Sequence, residues 1–427
     1  MSNKTWLLLS IGFLSIILIT LVGFFTPWRV LPIAIHSLPA NTDFSVADIS
    51  RARAFHSALL PWGVSSWALG FILAGVAGFT SVGSKLFGLI PGPFFLRSFL
   101  GVVAIELAIN LVELPVDASR ERVLRLYGLS TQHWRGWLID RVQHFVIGAS
   151  LMALGLTLLV LAARIFGARW WIIGGAGAAV LVIAFSFVYP LVFEPIFNKF
   201  TTMAPSPLRN ELMKMAARDG VPVKDILIAD ASRRGTGLNA YVSGFGASRR
   251  IVLYDVLLTG ASPEEVKLVV AHELGHAKAN DVGRFTLIGA LATAIGVLLL
   301  ALMIKWGLLL KLAGVTPSSN PMSEPRSIGL VLALIAVMTL LMQPISSLIS
   351  RNIEARADVH ALQLTGDPRT FVLMQRTLSR SNLSDPNPSK IIFWLFANHP
   401  TAPQRIAIAR AFAKLNHQVV PPALVNR

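Results

Sequence analysis

The 427-residue chain contains no cysteine. That excludes structural disulfides and thiolate metal sites, so any metal must be held by histidine and carboxylate. Charge is scarce as well. Asp, Glu, Lys and Arg make up 14% of residues, against roughly 25% in soluble globular proteins. With 54% of residues hydrophobic, an ordinary soluble domain is excluded and a membrane protein is expected. Acidic residues are the scarcer sign, 22 against 38 basic, for a formal net charge of +16. No aromatic-plus-basic stripe or nucleic-acid motif accompanies the excess, so nucleic acid is not an expected partner. Basic loops beside an anionic bilayer surface account for it. Internal repeats and low-complexity tracts are also lacking.

What is abundant is apolar sequence of membrane-spanning length. Seven spans are expected, at about 6–25, 62–82, 96–117, 142–163, 170–191, 284–304 and 328–349. The first is too long for the apolar core of a signal peptide and lacks a small-x-small cleavage site, so it is read as an uncleaved span. Residues 26–60 are expected to form a loop outside the bilayer. The third span carries Glu106, Asn110, Glu113 and Asp117 at helical spacing, a polar stripe on one face. Charges facing lipid are costly, so the stripe faces either a water-filled cavity or a short buried network between helices.

Two stretches are less membrane-like. Within 193–283, an amphipathic helix is expected from Pro207, a short strand at 226–228, and a hairpin of strands at 238–244 and 250–254. Ser262-Pro263-Glu264-Glu265 then reads as a capping box with proline at the first helical position. Residues 350–427 read as three helices, at 350–364, 368–380 and 401–414. The expected organisation is therefore 1–192 with five spans, 193–283 catalytic, 284–349 with two spans, and 350–427 catalytic again.

The helix opened by the capping box carries Ala271-His272-Glu273-Leu274-Gly275-His276. Residues four apart on a helix share a face, so His272 and His276 can reach one metal ion and Glu273 a water beside it. A catalytic zinc takes a third protein ligand, and Glu354 is the candidate. It follows the seventh span, two crossings after His276, and so lies on the same side of the membrane. Asp358, one turn on, is placed to orient a ligand imidazole. Asp281 and His360 are weaker candidates as ligands: the first falls off the ligand face, and the second points away from Glu354.

Several further segments carry a family resemblance. They are Leu238-Asn239-Ala240-Tyr241 with Gly244, Arg250-Ile251-Val252-Leu253-Tyr254-Asp255, Glu354-Ala355-Arg356-Ala357-Asp358 and His399-Pro400-Thr401-Ala402-Pro403-Gln404-Arg405-Ile406. Tyr127-Gly128-Leu129 and the run from Phe193 to Phe200 add to them. Together the chain resembles the type I CAAX prenyl endopeptidases, integral-membrane zinc proteases related to HtpX. The resemblance implies a mainly α fold, in which seven membrane helices enclose a water-filled chamber. A small α+β, gluzincin-like catalytic portion carries one zinc ion. It also implies that Asn239 and Ala240 lie on the strand that pairs with extended substrate. His399 would stabilise the oxyanion, and Arg405 would order the cleft.

The expected function is hydrolysis of peptide bonds, as in removal of a C-terminal tripeptide from a prenylated or similar peptide. The alternative within the enzymes is an HtpX-like quality-control protease acting on unprenylated substrates. A metal transporter would need ligands at mid-bilayer and no use for Glu273. The cysteine-free chain, with no endoplasmic-reticulum retrieval signal, looks bacterial. Arg351, Arg356 and the arginines at 120–141 place the catalytic side towards the cytoplasm, and the N-terminus outside.

Overall fold

The computed structural model describes residues 2–244 and 246–425. Sixteen α-helices and four strands are present among them. The membrane half holds α1 (Asn3–Phe25), α2 (Val46–Phe79), α3 (Ser81–Leu89), α4 (Phe94–Leu126), α5 (Trp134–Phe166), α6 (Trp170–Val188) and α7 (Glu194–Phe197). Then come β1 (Phe200–Thr202), α8 (Pro207–Arg218), β2 (Asp225–Ala229), β3 (Ala240–Ser243), β4 (Arg250–Tyr254), α9 (Asp255–Gly260) and α10 (Pro263–Lys278). The chain re-enters the membrane half through α11 (Asp281–Met303), α12 (Gly307–Leu312) and α13 (Ile328–Thr365). It ends with α14 (Pro368–Ser381), α15 (Lys390–Phe396) and α16 (Ala402–Leu415).

Six helical segments are long and apolar enough to cross a membrane, and one of them, Trp134–Phe197, runs for 64 residues. It holds α5 and α6, which pack on each other, and ends in the short α7. The chain turns between them at Gly167, where φ is +54°, a conformation that favours glycine. Divided there, the spans match the seven read from hydropathy.

Their ends do not match. Residues 46–60, expected as loop, are the first turns of α2, started by a Ser45/Asp48 capping box and continuing through Pro61. The third span likewise continues through Pro115 as far as Leu126. The seventh span and the expected helix at 350–364 are one helix of 38 residues. At 1.5 Å per residue that is about 57 Å, nearly twice a hydrocarbon core, so its last turns stand clear of the bilayer.

The spans pack loosely on one another. The most apolar window of α2 is 0% buried, that of α1 6% and that of α4 17%. Such exposure suits helices that face lipid on one side and a water-filled chamber on the other. The polar stripe on α4 divides along its length. Asp117 is buried in an ion pair with Arg141 at 2.5 Å, so that end is a network between helices. Glu106, Asn110 and Glu113 are half-buried, and Glu113 rests against Gly70 of α2, where a Cβ would meet its Oε1 at 2.8 Å.

The catalytic half has its own core. Ile226, Ile251 and Leu253 of the sheet meet Val270 and Leu274 of α10, Leu362 of α13, Phe371 of α14 and Ile406 of α16. Each such side chain contributes about 1.5–3 kcal/mol by leaving water. The strand order is β1-β2-β4-β3. β2 and β4 are parallel, with Asp225 opposite Arg250, while β3 and β4 form the expected antiparallel pair, Ala240 opposite Leu253. β3 is therefore an edge strand, and it lies against α10.

Candidate metal centre

Helix α10 is started by the device expected from its sequence. Ser262 Oγ accepts from the Glu265 amide at 3.3 Å, and Glu265 Oε2 accepts from the Ser262 amide at 2.8 Å. The face carrying His272 and His276 then meets Glu354 on the projecting end of α13. One donor atom from each of the three lies within 4.8 Å of the others.

The outward nitrogens of both imidazoles are tethered. Asp358 Oδ1 lies 2.9 Å from His272 Nδ1, and Asp281 Oδ2 lies 2.8 Å from His276 Nδ1. Carboxylates accept, so each Nδ1 carries the proton and each Nε2 turns a lone pair inward. The two Nε2 atoms are 3.1 Å apart. Glu354 Oε2 lies 3.2 Å from His272 Nε2 and 3.1 Å from His399 Nε2, yet this buried oxygen makes no hydrogen bond. Lone pairs and an orphaned carboxylate oxygen converging on one point repel one another unless a cation lies between them. The residues therefore fit a metal ion.

The surroundings bias charge accordingly. Without a cation between the donors a proton takes its place: burial alone would drive His272 towards its neutral form, but Asp358 and Glu354 overcome that and hold it up at about 10. Burial opposes ionisation of Glu354, yet the His272 and His399 imidazoles keep it well below the usual carboxylate range. Glu273 is shifted upward by burial, with His272 and His276 opposing. A carboxylate with raised proton affinity suits the role of a base near neutrality.

Each tether is anchored in turn by an arginine. Arg405 of α16 grips Asp358 through Nε at 2.8 Å and an Nη at 2.5 Å. Arg356 of α13 donates to Asp281. Asp358 thus stands where it was expected. Asp281, weighed only as a ligand, is the orienting partner of the second histidine, and neither it nor Arg356 was assigned that place from sequence. The reason lies in the backbone. Carried on as one helix, position 281 falls off the ligand face. Instead α10 ends at Lys278, Asn280 adopts φ +54°, and Asp281 opens α11 beneath His276. His360 does point away, and bonds Asp219 at 2.9 Å.

Beside the three donors runs a cleft lined by Val242 and Gly244 of the hairpin, by Arg249, and by Glu273, His276 and Asn280. Asn239 is exposed and its Oδ1 accepts from the Ala240 amide at 3.0 Å. Ala240 is only 3% exposed, and its amide is the one that Asn239 takes.

Known proteins match both halves of the chain. Residues 206–413 match the model of peptidase family M48, and residues 40–199 match that of the CAAX prenyl protease N-terminal region with five membrane helices. The chain belongs to the M48 membrane peptidases of the CAAX prenyl protease type. It is thus a membrane-embedded metalloprotease, with its five-helix N-terminal region that of the CAAX branch. The Bacillus subtilis metalloprotease YhfN is 27% identical over 322 residues, 74% of each chain. CAAX prenyl protease 1 of Saccharomyces cerevisiae is 29% identical over 315 residues, 70% of this chain and 68% of that one. The crystal structure of S. mikatae Ste24p shares the fold, with a TM-score of 0.76 at 22% identity over 95% of this chain and 98% of the other.

Proposed function

We propose that the chain is a zinc endopeptidase in which His272, His276 and Glu354 hold the metal and Glu273 is the general base. The observation that carries this reading is the convergence of two carboxylate-tethered imidazoles on the orphaned oxygen of Glu354. Three nitrogen and oxygen donors with one side open suit catalytic zinc. A zinc ion there would supply a Lewis acid that polarises the scissile carbonyl and brings the pKa of water towards about 7.

The chain's own residues do the rest. Glu273 takes the proton of the attacking water and passes it to the leaving amine nitrogen. His399, 52% exposed and facing Glu354, donates from Nε2 to the developing oxyanion. Arg405 acts through Asp358, holding His272 in one tautomer. An extended peptide adds to the edge strand β3, with Asn239 and Ala240 at its start. The relatives named CAAX prenyl proteases support a C-terminal protein segment as substrate, with release of its last three residues.

Glu273→Gln is expected to lower peptide cleavage by about 10²–10⁴-fold, followed by mass spectrometry of the products, while zinc content stays at one per chain. Cleavage near the wild-type rate would refute the assignment. The arginine-rich loops support a cytoplasmic catalytic side. The cysteine-free chain makes that easy to test. A membrane-impermeant maleimide added to intact cells should label Ser318→Cys and spare Lys224→Cys; the opposite pattern would reverse the orientation.

A further inference from the structure

Several guanidinium groups of the catalytic half are engaged. Arg405 holds Asp358, Arg356 holds Asp281, Arg234 holds Asp140 and Arg250 reaches the Pro190 carbonyl. Arg249 differs. It lines the same cleft as Glu273 and His276 and is half-buried. Among the described residues, no carboxylate or carbonyl takes its side chain.

Its backbone, by contrast, is fixed. The amide donates to the Gly246 carbonyl at 3.4 Å, and the Arg249 carbonyl accepts from the Lys224 amide at 2.8 Å. The β3–β4 turn is tight because Gly244 adopts φ +88°, and a Cβ there would meet the Ser248 carbonyl oxygen at 2.8 Å. The hydrogen bonds to Gly246 and Lys224 therefore hold the Arg249 backbone near the end of the edge strand. A half-buried guanidinium without a counter-ion is costly to keep, and its fork geometry matches a carboxylate.

We infer that Arg249 binds a carboxylate of the peptide substrate and so sets which peptides the enzyme prefers. The inference rests on the peptidase reading above and adds a substrate chemistry to it. That carboxylate has two possible sources, the free C-terminus or an acidic side chain a fixed number of residues from the cleaved bond.

The test uses the zinc-loaded full chain and matched peptide pairs. One pair differs as C-terminal acid against amide; the others differ as Glu against Gln at each position within four residues of the cleaved bond. The wild type should prefer the acid in one pair by about tenfold in kcat/KM, mainly through KM. The pair that shows the effect names the source. Arg249→Met should bring the two members of that pair together in KM, Arg249→Lys should keep much of the preference, and Arg249→Glu should shift it towards a Lys-bearing peptide. Wild-type indifference to every pair would overturn the inference while leaving the peptidase intact. So would an Arg249→Met variant that slows acid and neutral peptides alike. Absence of any cleavage by the wild type would overturn the peptidase reading, and this inference with it.

Discussion

On one flank of the metal centre His272 leads through Asp358 to Arg405; on the other His276 leads through Asp281 to Arg356. The connectivity is the same but the depth is not. Asp358 is 0% exposed and Arg405 13%, whereas Asp281 is 6% exposed and Arg356 23%. The first flank ties α10, α13 and α16 together within the core of the catalytic half. The second ties α10 to the opening of α11 and lines the cleft. Two imidazoles can thus be oriented by the same chemistry while one flank also supports the fold and the other borders the cleft.

Asp358→Asn should have the largest effect. It leaves Arg405 buried without its partner, which costs about 3–5 kcal/mol of stability, and it loosens His272, lowering metal affinity about 10–100-fold. Thermal unfolding and zinc titration would check both. Asp281→Asn should lower metal affinity about tenfold but cost less stability, because Arg356 can turn to water. Equal destabilisation by the two variants would remove the distinction between the flanks.

A smaller effect should appear with pH in the chelated protein. His272 is held up at about 10 when folded, above its unfolded value of about 6.5. The stability it contributes is therefore fully present below about pH 6.5 and is lost as pH rises through about 10. Zinc needs the neutral imidazole, so its affinity should rise over the same interval, with proton release on binding. Calorimetry in buffers of different ionisation enthalpy would detect that proton. Asp358→Asn should diminish the release more than Asp281→Asn.

Much of this was legible beforehand. Seven apolar stretches, the Ser262 capping box and the spacing of His272, Glu273 and His276 are local features, and the structure repeats them. The pairing with Glu354 followed from counting two crossings. The ends of helices were not legible, because capping outweighs hydropathy: Ser45 and Asp48 start α2 well before its apolar run. The small β1 was missed, since a strand of three residues pairing with β2 leaves no periodicity to see. Asp281 was misplaced because a single left-handed residue, Asn280, separates two helices that read as a continuous pattern. Arg249 was passed over among 38 basic residues; nothing in its neighbours shows that it lacks a partner.

By itself, the sequence determined the solvent, the reaction class and the donor set. Composition demands a bilayer, the absence of cysteine leaves only nitrogen and oxygen donors, and one helical turn brings two histidines to one face. Those properties depend on residue type and local spacing. Which carboxylate tethers which imidazole, how deeply each is buried and which arginine is left facing the cleft were decided by tertiary structure alone. They depend on where helices end and how they cross: Asp281 meets Arg356, and Asp358 meets Arg405, only when α11, α13 and α16 close around α10.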